Sequence, residues 1–129
     1  MEFAPLALAA LLGIVHIVLA AQAANQIRGL RYAIGPRDET IAPLDGVAAR
    51  LRRAQTNFLE TFPIFAALFL AATLLDVSDW RMVWGPWLYL GARVVYVPLY
   101  AFGVTLWRTL AWNAASVGQL LILWAVLWP

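Results

Sequence analysis

The 129-residue sequence has no cysteine, no lysine, one histidine and only 12% charged residues. Without cysteine there can be no disulfide, zinc–thiolate site or cysteine nucleophile. His16 alone cannot assemble a metal site, so none is expected. The shortage of charge accompanies 64% hydrophobic residues and a mean hydropathy of +0.77. A soluble chain averages about 45–50% apolar and about 25% charged residues. This chain is too apolar to be solvated by water on all sides, and a lipid bilayer is the simplest solvent for it. The net charge of +2 carries little information because so few charges make it up. All 9 basic residues are arginine, which suits codon bias in an Ala- and Leu-rich text. Individual arginines still offer fixed forks that grip carboxylates. No basic stripe alternates with aromatics, so nucleic-acid binding has no support.

One domain spanning residues 1–129 is predicted, with helices at about 3–27, 46–75, 81–103 and 107–128. The first has roughly the 20 apolar residues needed to cross a hydrocarbon core. In the first, Ala21-Gln22-Ala23 mimics a signal-cleavage site, but Met1-Glu2 gives no basic start. The apolar stretch also exceeds the ~7–15 residues of a signal peptide, so a retained helix is expected. From Arg28 onward the text turns polar, with loop signals at Gly35-Pro36, Pro43 and Asp45-Gly46. Asp45 is placed to cap the second helix through its carboxylate. At ~45 Å that helix should protrude from the membrane by its first two turns. Short connections make sequential helices antiparallel neighbours. The expected fold is an all-α, up-down four-helix bundle integral to the membrane. Arg28, Arg31, Arg37, Arg50, Arg52 and Arg53 crowd the first connection, and Arg108 opens the last helix on the same side. The positive-inside rule puts that side in the cytoplasm and both termini outside. Trp80, Trp84, Trp87, Trp124 and Trp128 fit an interfacial belt at the other side.

Ionisable groups within spans are costly and usually functional. Arg53, Asn57 and Glu60 lie at i, i+4 and i+7, on one helical face. Arg50 continues that face one turn earlier. Arg53 and Glu60 are about 10.5 Å apart along the axis, too far to neutralise each other directly. Glu60 therefore needs a cation from another helix, another subunit or a ligand ammonium. An interhelical ion pair that only fixes packing is an equal alternative on spacing alone. In the third helix Arg93, Tyr96 and Tyr100 share a face, with Tyr89 one turn before and Pro98 expected to kink the helix. A phenol face can donate to a thiolate or carboxylate, though tyrosine at that depth is also ordinary packing. Arg108 can snorkel to the headgroups. His16 reads as a hydrogen-bonded packing residue.

The run Arg53-Ala54-Gln55-Thr56-Asn57-Phe58-Leu59-Glu60-Thr61-Phe62-Pro63 resembles the second-helix signature of the MAPEG family. These are the membrane-associated proteins of eicosanoid and glutathione metabolism, which include microsomal glutathione transferases and the leukotriene-C and prostaglandin-E synthases. Arg93-Val94-Val95-Tyr96 followed by Tyr100 is similar to the family's third-helix motif, and Gln26-Ile27-Arg28 also has a counterpart. The resemblance extends over the whole chain, to a distant, bacterial-type member. It implies a homotrimer in a bacterial inner membrane with glutathione, as cosubstrate, bound between subunits. Arg28, Arg53, Gln55, Asn57, Glu60, Arg93, Tyr96 and Tyr100 would line that site, with Glu60 taking the γ-glutamyl ammonium. Arg108 would be the catalytic cation beside the thiol. The implied activity is a transferase or peroxidase acting on a lipophilic small molecule. Thr61 departs from the tyrosine of the leukotriene-type enzymes, removing a stacking or hydrogen-bonding partner, and the Tyr100-to-Arg108 spacing matches neither synthase. The alternative is a non-enzymatic member whose polar face is structural or binds another anion. A four-helix multidrug transporter fits less well, because the deep acid, Glu60, is not in the first helix.

Overall fold

The computed structural model describes residues 2–129. It contains five helices: α1 (Ala4–Arg28), α2 (Leu30–Ile34), α3 (Gly46–Leu74), α4 (Trp80–Ala101) and α5 (Thr105–Leu127). Four of them are long, and α2 is an addition within the polar stretch that the sequence suggested was loop. Gly29 makes α2 possible, since its φ of 84° breaks α1 without strain. Arg37 then closes α2, donating from Nε and Nη2 to the Ala33 carbonyl at 3.2 and 2.9 Å.

The helix starts differ in how they are capped. Asp45 does occupy the N-cap of α3, but its carboxylate accepts no capping hydrogen bond. The expected side-chain cap is therefore absent, and the backbone bond from Ala49 to the Asp45 carbonyl opens the helix instead. Asp79 is the residue that caps in the usual way, accepting from the Arg81 backbone N–H at 2.8 Å. The Arg81 Nε donates to the same carboxylate at 2.8 Å, and its Nη1 donates to the Trp124 and Trp128 carbonyls at 3.2 and 2.9 Å. One arginine thus fastens the start of α4 to the end of α5.

α1, α3 and α5 are long and apolar enough to cross a membrane. α4 has 22 residues but mixes Trp, Tyr, Gly, Pro and Arg into its apolar text. Large apolar side chains such as Ile14, Ile64, Val94 and Leu120 are exposed on all four long helices. In water these would be adhesive patches, whereas in lipid they are solvated.

Small residues set the helix spacing. α1 buries Ala9, Gly13, His16, Ala20 and Ala24 on one stripe, and a Cβ on Gly13 would come within 3.1 Å of the Phe58 ring. α4 and α5 approach more closely still. A Cβ on Gly118 would lie 2.6 Å from the Gly85 carbonyl oxygen and 2.7 Å from the Tyr89 nitrogen. Close backbone approach through small residues is the usual way membrane helices gain packing energy. Between these contacts Phe65, Phe69, Tyr89 and Ile122 fill the core, with the Phe65 and Tyr89 rings stacked at 4.1 Å.

Candidate functional site

Arg93, in the middle of α4, is only 1% exposed. A cation at that depth needs partners supplied by its neighbours, and α3 supplies them. Arg93 Nη1 donates to Asn57 Oδ1 at 2.7 Å, and Nη2 donates to Thr61 Oγ1 at 2.7 Å. Thr61 Oγ1 also shares a hydrogen bond with the Tyr89 hydroxyl at 3.1 Å. From α5, Gln119 Nε2 donates to the Thr61 carbonyl at 2.8 Å. The Arg93 guanidinium carbon stands 5.7 Å from the Tyr89 ring and 5.2 Å from that of Tyr96. Arg93 is therefore held by neutral acceptors and aromatic faces, with no carboxylate bonded to it among the described residues.

Towards the C-terminal end of α4 the polar face opens. The Arg53 Nε donates to the Tyr100 hydroxyl at 3.2 Å. The Arg108 guanidinium carbon lies 4.7 Å from the centre of the Tyr100 ring, a cation–π contact that gives it a partner other than the headgroups. Tyr96 meets Tyr100 edge to face at 5.4 Å. Asn57, Tyr96, Tyr100, Arg108, Thr109 and Trp112 line an open groove of about 320 Å³. One guanidinium, two phenols and an amide thus line a groove between α3, α4 and α5, and a second guanidinium, that of Arg53, is bonded to the Tyr100 hydroxyl. Such donors suit an anionic ligand that carries hydrogen-bond acceptors.

Three expected site residues lie apart from this convergence. Glu60 is exposed and makes no hydrogen bond or ion pair among the described residues, where Asp79–Arg81 is the one salt bridge. Gln55 accepts a long 3.5 Å contact from Arg52. Arg28, at the last position of α1, stands 5.8 Å from the Tyr32 ring of α2, and its Nε is buried without a partner. His16 is buried and stacked on Phe58 at 4.9 Å, with its Nε2 unpartnered, so it packs as expected but lacks a hydrogen bond there.

Two participants were not legible beforehand. Thr61, read as the loss of a tyrosine, is the centre of the Arg93 network. Gln119 gave the one available signal, an amide in the middle of an apolar span, where an unsatisfied polar group would be expensive.

Another cavity, of about 370 Å³, sits at the opposite end among Glu2, Phe69, Asp76, Asp79 and Trp87. Arg81, which is not part of its lining, holds the Asp79 carboxyl below its ordinary 3.8, chiefly through the side-chain hydrogen bond. This cavity is larger but has none of the arginine forks, so the smaller groove is the better candidate.

The sequence model of the MAPEG family matches residues 4–128, nearly the whole chain. No curated protein is significantly similar to it.

Proposed function

The chain belongs to the MAPEG family, and from that premise we propose a glutathione-dependent membrane transferase or peroxidase acting on lipophilic electrophiles. The observation that carries the proposal is that Arg53 and Arg108 both contact Tyr100 at the groove, while Glu60 on the same face of α3 as Arg53 has no partner among the described residues. Glutathione has two carboxylates, one ammonium and one thiol. Arg53 would fork onto a carboxylate, Glu60 would take the ammonium, and Asn57, Tyr96 and Tyr100 would hydrogen-bond the peptide. A free carboxylate so far along α3, about 21 Å from its start, is costly unless a ligand or second subunit covers it. A homotrimer would do so, bringing Arg28 and Gln55 of one subunit towards the groove of the next.

Arg108 then has a chemical role. A cation beside the thiol lowers its pKa from about 8.5 and raises the thiolate fraction at neutral pH. The thiolate sulfur attacks the electrophilic carbon, and the leaving group departs with the electrons of the broken bond. Arg93, enclosed by Asn57, Thr61 and Tyr89, would hold Asn57 in position. We place the α1–α3 connection in the cytoplasm of a bacterial cell, with α4 as the fourth span and both termini outside.

Turnover of a lipophilic electrophile by detergent-purified protein tests the reading. Arg108→Leu should lower kcat more than it raises KM, whereas Arg53→Ala should mainly raise KM for glutathione. A wild-type protein that conjugates no electrophile and reduces no hydroperoxide would contradict it. One observation favours a second reading, a non-enzymatic member: both Nη atoms of Arg93 are already bonded within one chain, to Asn57 and Thr61, and only its buried Nε has no partner among the described residues. Under that reading the same substitutions would destabilise the assembly, with no turnover to lose.

A further inference from the structure

We propose that Arg50 is a positioning residue that tethers the α4–α5 turn and so sets the placement of Arg108 against Tyr100. The inference rests on the functional reading above for its catalytic consequence, but not for its structural one.

Arg50 and Arg53 are one turn apart on α3, and both reach the end of α4. Arg50 Nε donates to the Ala101 carbonyl at 2.8 Å, across 51 residues of sequence, while Arg53 Nε takes the Tyr100 hydroxyl at 3.2 Å. Ala101 is the last residue of α4, where carbonyls have no partner within the helix. A guanidinium there also complements the negative end of the helix dipole. An arginine that merely snorkelled would turn its fork to water, and Arg50 is half-buried with its Nε committed.

The turn that follows is short and needs holding. Phe102, Gly103 and Val104 connect α4 to α5, and Gly103 reverses the chain with φ at 73°. The Arg50 Cδ and Nε atoms would lie 3.9 Å from a Cβ on Gly103, so the side chain covers the turn. Pro98 lacks an N–H, which removes one hydrogen bond from the last turns of α4 and leaves an outside tether more to do. Arg108 sits one turn into α5. Its 4.7 Å distance to the Tyr100 ring is therefore fixed by how this turn closes.

The test compares Arg50→Ala, Arg50→Lys and, as control, Arg31→Ala on the exposed face of α2. Amide hydrogen exchange of residues 102–104 in detergent reads the tether without any ligand. Arg50→Ala should speed that exchange by about tenfold, the loss of one charge-assisted hydrogen bond. Arg50→Lys should recover part of the protection, and Arg31→Ala should leave it unchanged. With glutathione added, the ultraviolet thiolate band should appear at higher pH in Arg50→Ala, while the dissociation constant changes less than about threefold. Unchanged exchange in Arg50→Ala, or exchange raised equally by Arg31→Ala, overturns the tether. Raised exchange with an unmoved thiolate titration overturns its effect on Arg108. If wild-type protein takes up no glutathione, the functional reading fails by itself, and the exchange data decide the tether.

Discussion

Replacing Thr61 by valine keeps the shape of the side chain and deletes one hydroxyl. That oxygen accepts from Arg93 Nη2 at 2.7 Å, meets the Tyr89 hydroxyl at 3.1 Å and donates to the Phe58 carbonyl at 3.2 Å. A hydrogen bond to a charged group contributes about 1.5–3 kcal/mol and a neutral one about 0.5–1.5 kcal/mol. Interhelical hydrogen bonds in membranes average nearer 0.6 kcal/mol, because the unfolded chain in lipid finds other partners. Arg93 is 1% exposed, so no lipid headgroup or bulk water can replace the lost acceptor. The higher scale should therefore govern the charged bond, and we expect Thr61→Val to cost about 2–3 kcal/mol. Thr61→Ser keeps the hydroxyl and should cost under about 1 kcal/mol. Reversible unfolding in mixed detergent, followed by circular dichroism, measures both. A double-mutant cycle with Tyr89→Phe should return a coupling of about 0.5–1.5 kcal/mol. Thr61→Val within about 0.5 kcal/mol of wild type would refute the idea that Thr61 organises Arg93.

The close approach of α4 and α5 makes Gly118→Ala destabilising by about 1–3 kcal/mol, since its Cβ would meet the α4 backbone at both Gly85 and Tyr89. Gly91, on the open face of the same α4, should accept alanine with no loss and up to about 1 kcal/mol of gain. Thermal midpoints in detergent compare the two. The Asp79 carboxyl is depressed in the folded protein by its bond to Arg81, so its contribution is present above the ordinary carboxylate pKa of 3.8. It should fade as pH falls below that value and through the lower folded one, and Asp79→Asn should remove this part of the acid dependence of unfolding. A wild-type and Asp79→Asn pair with parallel acid profiles would contradict the clamp.

Much of the architecture was written in hydropathy. Long apolar runs separated by short polar turns announce antiparallel helices, and the small residues of α1 and the α4–α5 pair reveal themselves once the helices are paired. α2 was not legible, because its five residues depend on Gly29 and on Arg37 folding back to Ala33, a local closure without periodicity. Asp45 was misleading for a related reason: the right residue at the cap position does not guarantee that its carboxylate turns inward.

The polar face was legible as a face and not as a set of contacts. Arg53, Asn57 and Glu60 span about 60° of the α3 circumference. That is wide enough for Asn57 to turn towards Arg93 while Glu60 stays outside without a partner. Periodicity along one helix cannot say which edge of such a face meets a neighbour. Gln119 and Arg50 were opaque because their partners are backbone carbonyls, which every residue has and no sequence pattern marks.

We propose that Glu60, which has no partner among the described residues, receives a ligand's ammonium. Calorimetric titration of the solubilised protein with glutathione and with its N-acetylated form addresses this most directly, using wild type and Glu60→Gln. Wild type should bind glutathione and lose about tenfold or more in affinity when the amine is acetylated. In Glu60→Gln, affinity for glutathione should already be reduced, and acetylation should take away little more. No binding by wild type at millimolar glutathione, or an equal loss on acetylation in both proteins, would contradict the claim.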